Sequence, residues 1–121
     1  YLPRIRGADA SLHSINLNNK IGASLFLINE KIDEGKIILR DEKIYNKFFF
    51  PESSIFEYNN LYRIWFSFFD PAIRVWLLKK AIDQNIDLDK FLDLDINNED
   101  KNYYTFFAKN ELNIVFKKIF N

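Results

Sequence analysis

Apolar and polar positions follow one rhythm in the first third of the chain and another afterwards. Gly22-Ala23-Ser24-Leu25-Phe26-Leu27-Ile28 is a short apolar run without helical spacing. It predicts a strand covered on both faces, as central strands of α/β sheets are. Residues 29–35 are polar, and Lys36 to Tyr45 predicts a second strand, apolar at Ile37, Ile38 and Leu39 and half-solvated at Arg40, Asp41 and Glu42. The intervening segment is too short for a crossover helix, so the two strands are expected to form an antiparallel hairpin. Upstream, Tyr1 to Gly7 reads as a loop: Pro3 biases Leu2 toward extended geometry and Gly7 permits a turn. Asp9 is placed to cap a short helix in which Leu12 and Ile15 share a face, with Asn18-Asn19 as its stop.

Beyond residue 46 the period becomes helical. Ser54-Ile55-Phe56-Glu57 has the capping-box pattern, and Leu61, Ile64, Trp65 and Phe68 follow at helical spacing. Asp70-Pro71 predicts a fresh start, Asp as cap and Pro at the first position, with Ile73, Trp76, Leu77 and Ala81 as the buried stripe. Asp83 to Asn102 is acidic and Asn-rich, a solvated connector with a turn at Lys90-Phe91-Leu92. Asn110 is expected to cap a last helix whose Leu112, Val115, Phe116, Ile119 and Phe120 lie on one face, with Lys117 and Lys118 favouring its C-terminal dipole. Burying those five side chains is worth roughly 1.5–3 kcal/mol each before entropy.

Length and composition narrow the functional classes. At 121 residues there is room for one ordinary domain. Lys plus Arg equals Asp plus Glu at 17 each, a balance that argues against sequence-independent nucleic-acid binding. The chain has no cysteine, which removes disulfides, thiolate metal sites and thiol nucleophiles and is compatible with a cytoplasmic setting. No apolar run approaches the ~20 residues needed to span a bilayer, and Arg4 and Arg6 interrupt any signal-like N-terminus. The absence of methionine leads to the expectation that Tyr1 is not the natural start of the polypeptide.

Two segments in order carry a family likeness. Leu2-Pro3-Arg4-Ile5-Arg6-Gly7-Ala8-Asp9-Ala10 resembles the LPxxRG loop and following helix of the folate-dependent formyltransferases. Gly22 through Ile38, ending in Asp33-Glu34-Gly35-Lys36-Ile37, resembles that family's strand, folate loop and DxGxI element. The likeness covers roughly residues 1–46. It implies an α/β fold, with residues 1–46 as the C-terminal part of a Rossmann-like catalytic domain (two strands and a helix); the helical period described above adds a mainly helical segment over 47–121. It also implies 10-formyltetrahydrofolate as co-substrate and a primary amine as formyl acceptor. Asp33 matches the catalytic Asp. The family's Asn and His precede the LPxxRG loop and have no counterpart in this sequence. The backbone around Glu30, Lys31 and Ile32, with Gly35 allowing the tight turn, is implied to hold the pterin. Three departures stand out: Phe26 where the family often has His, His13 where it often has Trp, and Glu34 inside the DxG element.

In formyl transfer an amine attacks the formyl carbon and negative charge grows on its oxygen. Amide and imidazolium donors stabilise that charge, and a carboxylate beside the His favours its protonated form and helps route protons. Arg4 and Arg6 are candidates for an acceptor's phosphate, as guanidinium forks are, and equally for pairing with surface carboxylates. The wording Arg6-Gly7-Ala8-Asp9-Ala10 is closest to sugar N-formyltransferases, which implies a nucleotide-linked amino sugar; methionyl-tRNA and glycinamide ribonucleotide are the alternative acceptors. A non-enzymatic expectation stands beside these. It is an inactive remnant or a partner-dependent subunit, a homodimer or one lacking its N-terminal half. His13, the only histidine, suits a surface or capping role better than catalysis. The aromatic cluster of Phe48-Phe49-Phe50, Trp65, Phe66, Phe68, Phe69 and Trp76 suits core packing better than ligand stacking. Asp87, Asp89, Asp93 and Asp95 lack the Gly and terminal Glu of a calcium loop.

Overall fold

The computed structural model of the chain describes Leu2 and residues 4–46, 58–87, 89 and 102–120. The capping box at 54–57, Phe48 to Phe50, the turn at Lys90-Phe91-Leu92, and Asp93 and Asp95 lie outside these residues. The fold is mixed α/β, with two small sheets and helices. In chain order it runs β1 (Ile5–Gly7), α1 (Ala10–Asn18), β2 (Lys20–Phe26), β3 (Ile37–Ile44), α2 (Tyr58–Ile64), a π-helical turn (Trp65–Phe69), α3 (Asp70–Asp83), β4 (Asn102–Tyr104) and α4 (Lys109–Phe120).

The hairpin expectation holds: β2 and β3 pair antiparallel from Lys20↔Ile44 to Leu25↔Leu39, with an irregularity between Leu25 and Phe26. Coverage of β2 on both faces does not hold. Only Ala23 is buried and its neighbours are half-buried, with α1 and α3 packed against the strand. The opening segment, expected as loop, contains β1, which pairs in parallel with β4 from Ile5↔Asn102 to Gly7↔Tyr104. Residues 1–46 therefore hold three strands and a helix, not two strands and a helix, and the mainly helical segment contributes a strand. Three-residue strands are too short to show alternation, and this pairing depends on Gly7. Its φ is +94°, and a Cβ there would lie 2.2 Å from the Tyr104 carbonyl oxygen.

Helix α1 buries Leu12 and Ile15 and ends at Asn19, whose left-handed backbone returns its N–H to the Ile15 carbonyl. Asp9 does not cap it with its side chain; that carboxylate is used elsewhere. Residues 58–83 form one continuous helical path. Asp70 is itself helical, so Asp70-Pro71 is not a fresh start: Pro71 follows directly on the π-helical turn within the continuous path, and its missing N–H leaves one carbonyl of the preceding turn without that donor. The π-helical turn adds a residue to the local repeat. It turns Phe68 out to 70% exposure while Trp65 and Phe69 face inward, against the even spacing predicted from Leu61. Ile73, Leu77 and Ala81 are buried as predicted, and Trp76 is half-buried.

Helix α4 buries all five predicted residues. Its cap lies two residues before Asn110: Glu111 Oε2 accepts the Ala108 N–H at 2.8 Å, the reciprocal half of a capping box. Lys118 Nζ donates to the Asn16 carbonyl at 2.7 Å, so α4 satisfies the end of α1. One core joins Leu12, Ile15 and Ala23 to Trp65, Ile73 and Leu77 and to the buried face of α4. Residues on both sides of position 46 thus share a single apolar interior. No helix of the described residues is long and apolar enough to cross a membrane.

Candidate functional site

The core fixes α1, β2 and α3, and the opening turn is laid across their polar end. The Leu2 N–H donates to Ser24 Oγ at 2.9 Å, and Arg40 Nη1 donates to the Leu2 carbonyl at 3.4 Å. Ser24 was legible only as a polar residue inside an apolar run, with nothing to show its partner. Between the turn, β2, the hairpin loop and the start of α3 opens a cleft of about 310 Å³ whose polar lining includes Arg6, Ser11, Ser24, Asp33, Asp70 and Arg74.

Asp33 stands at this cleft on a strained backbone, φ +56°, and is half-buried. A non-glycine residue in the left-handed region is uncommon and persists where its surroundings hold it. The hairpin loop does hold it. Asn29 Oδ1 accepts the Lys31 N–H at 3.0 Å while Asn29 Nδ2 donates to the Glu34 carbonyl at 3.1 Å. The Leu27 N–H donates to the Lys36 carbonyl at 2.9 Å. Gly35 is buried so closely against the same stem that a Cβ would fall 1.5 Å from the Leu27 carbonyl oxygen. Glycine is required there by close approach, not by a positive φ. Among the described residues the Asp33 carboxylate has no hydrogen-bond or ion-pair partner.

Arg6 is 7% exposed and donates through Nη1 to Glu34 Oε1 at 3.1 Å, so the opening turn and the Asp33 loop are tied by an ion pair. Lys31 Nζ approaches the other Glu34 oxygen at 3.8 Å. Arg6 Nε is buried without a partner among the described residues. Across the cleft, Arg74 Nη2 lies 2.6 Å from Asp70 Oδ2. The structure therefore brings together Arg6 and Asp33 of the sequence candidates. Gly35 lies behind them in the loop stem. Arg4, Glu30, Lys31 and Ile32 are exposed and do not line the cleft. Sequence reading missed Ser11, Ser24, Asp70 and Arg74, and treated Glu34 as a departure instead of a partner for Arg6.

The remaining candidates lie elsewhere. His13 is stacked on Phe107 with centroids 3.8 Å apart, and its Nε2 is 2.9 Å from the Thr105 carbonyl, so it pins the segment before α4. Trp65 is buried and donates to Ser11 Oγ at 3.0 Å. A second, apolar cavity of about 390 Å³ is bounded by Ile21, Trp65, Phe69 and Trp76, with the Lys43 ammonium 4.4 Å from the Trp76 ring. Asp87 closes an Asx turn on the Asp89 N–H at 3.0 Å. No group of three or more His, Asp or Glu side chains is arranged to hold a metal among the described residues. Neither known family models nor curated proteins match the sequence.

Proposed function

We propose that this chain carries the C-terminal part of an N-formyltransferase site, with Asp33 as the carboxylate that serves the attacking amine. The donor is 10-formyltetrahydrofolate, and the acceptor is a primary amine, of which a nucleotide-linked amino sugar is the favoured class. One observation carries the reading: Asp33, a carboxylate without a partner among the described residues, lines one cleft with Arg6 of the Leu2–Gly7 turn. Arg6 and Asp33 belong to the two segments whose wording resembles the family, and a helix and a strand separate the two residues in sequence.

The residues present suit the parts assigned to them. Gly35 and Asn29 hold the loop that brings Asp33 to the lining of the cleft. Ile28 and Ile32 stand 92% and 76% exposed on the same loop, apolar surfaces against which a flat ring can lie. The folate supplies the activated formyl carbon. Asp33 would accept hydrogen bonds from the acceptor amine, orient its lone pair and take up a proton as the new C–N bond forms; the formyl C–N10 bond of the folate would then break and N10 would receive a proton, releasing tetrahydrofolate. Phe26 lines the cleft where the family often has His, so donors for the formyl oxygen do not come from that position.

The described lining contains neither histidine nor asparagine. In this reading the amide and imidazole donors are not supplied by the described lining. The test is an assay of the product of the complete reading frame with 10-formyltetrahydrofolate and a panel of amines: nucleotide-linked amino sugars, glycinamide ribonucleotide and methionyl-tRNA. Asp33→Asn should lower turnover by about 10²-fold or more with unfolding unchanged. Near-normal turnover of that variant would remove Asp33 from the chemistry.

A further inference from the structure

We infer that the cleft binds a small ligand carrying an amine and an oxyanion together, the amine on Asp33 and the oxyanion on Arg6. The inference deepens the proposed function and rests on it only for naming the amine as the formyl acceptor.

Arg6 is the unusual group. Its side chain is more than nine-tenths buried, yet of its three nitrogens only Nη1 has a partner among the described residues. Nε is sealed without one. Nη2 makes no hydrogen bond to the described residues and is not among the sealed atoms, and Arg6 lines the cleft. A buried guanidinium with a single carboxylate partner leaves donors unmet, which is costly in a low-dielectric setting. An oxyanion on Nη2 relieves that deficit. Ser24 Oγ, which accepts the Leu2 N–H, retains its own O–H to donate to the same ligand.

Charge decides between a simple anion and a two-headed ligand. The lining holds Arg6 and Arg74 against Asp33 and Asp70. Asp70 and Arg74 neutralise one another at 2.6 Å. Asp33 remains, and no cation among the described residues pairs with it. A lone anion would meet that carboxylate, and a lone amine would meet Arg6. A ligand bearing both charges meets each with its opposite. The volume of about 310 Å³ lies at the small end for ligand pockets, which suits a compact polar molecule and not an extended apolar one.

The probes are glucosamine 6-phosphate and β-alanine, which carry an amine with a phosphate or a carboxylate. Glucosamine and glucose 6-phosphate each carry one half. Titration of the full chain by calorimetry should give binding by at least one two-headed probe about tenfold or more tighter than by either half. Which of the two binds identifies the oxyanion. Asp33→Asn should remove the advantage conferred by the amine, and Arg6→Lys that conferred by the oxyanion. Because Arg6 is buried, Glu34→Gln provides a second variant that leaves it in place. Relieving Arg6 of its carboxylate should tighten the two-headed probe several-fold, whereas a purely structural ion pair would give unchanged or weaker binding. Halves that bind as well as the two-headed probes, no binding at millimolar concentration, or a Glu34→Gln variant that does not tighten it would each overturn the inference. Binding without formyl transfer in the complete protein would leave this ligand class standing and remove the proposed reaction.

Discussion

Asp9 and Asp33 share a backbone conformation and differ in everything their carboxylates do. Both are left-handed, at φ +54° and +56°. Asp9 is buried: one oxygen accepts the Tyr62 hydroxyl at 3.0 Å and the other the Phe107 N–H at 3.0 Å. It ties the start of α1 to α2 and to the segment before α4. Asp33 has no partner among the described residues and stands in the cleft. A saturated buried carboxylate stabilises the fold, whereas an unsaturated one in a cavity leaves its hydrogen-bonding capacity for a ligand. The β1–α1 turn is thus built for stability, and the hairpin loop holds an unused acid in place.

That contrast breaks most readily at Asp9. Asp9→Ala strands a buried N–H and a tyrosine hydroxyl, and should destabilise by about 3 kcal/mol in urea unfolding. Asp33→Ala should stay within about 0.5–1 kcal/mol. Equal losses would mean that Asp33 also supports the fold. Gly35→Ala comes next: its Cβ overlaps the Leu27 carbonyl, and the loop must shift at a cost of about 2 kcal/mol. Faster amide exchange across residues 29–35 with protected α4 amides would place the damage in the loop. An unshifted loop would mean that Gly35 does not set the position of Asp33.

The smallest expected effect is a pH dependence at Asp41, a third aspartate that belongs with the structural group. Its hydrogen bond from Lys80 holds its carboxyl below the usual range against the opposing effect of burial, helped by the Glu42 N–H and by the charges of Lys80 and Lys43. A depressed folded value means that the stabilisation is complete above the unfolded value of about 4 and is lost as pH falls through the folded one. Asp41→Asn should make the loss of stability on acidification shallower, by less than about 1 kcal/mol since the pair is partly exposed. An unchanged acid limb of the stability curve would assign that pair no role.

Periodic segments were legible in the order of residues alone. The buried face of α4, the Leu12–Ile15 face of α1 and the β2–β3 hairpin all came from spacing and loop length. Cap assignments were less secure, because Asp9, Asp70 and Asn110 each had the right chemistry at the wrong step. Asp9 bonds to partners remote in sequence, Asp70 pairs with Arg74 inside a continuous helix, and Glu111 does the capping expected of Asn110. The outward turn of Phe68 had no sequence signal, since a π-helical turn changes phase without a distinctive residue. In the site, Asp33, Gly35 and Arg6 were named from their local wording, whereas Ser11, Ser24, Asp70 and Arg74 were not, because each had a bland local reading.

By itself the sequence determined which stretches bury a face and where the hairpin turns, since period and glycine placement act over a few residues. Tertiary structure alone decided which polar groups are spent and which remain open. Arg6 meets Glu34 across 28 positions and Asp9 meets Phe107 across 98. Saturation of a buried donor or acceptor depends on groups that only folding makes neighbours, so no local pattern distinguished the carboxylate that holds the fold from the one that faces the cleft.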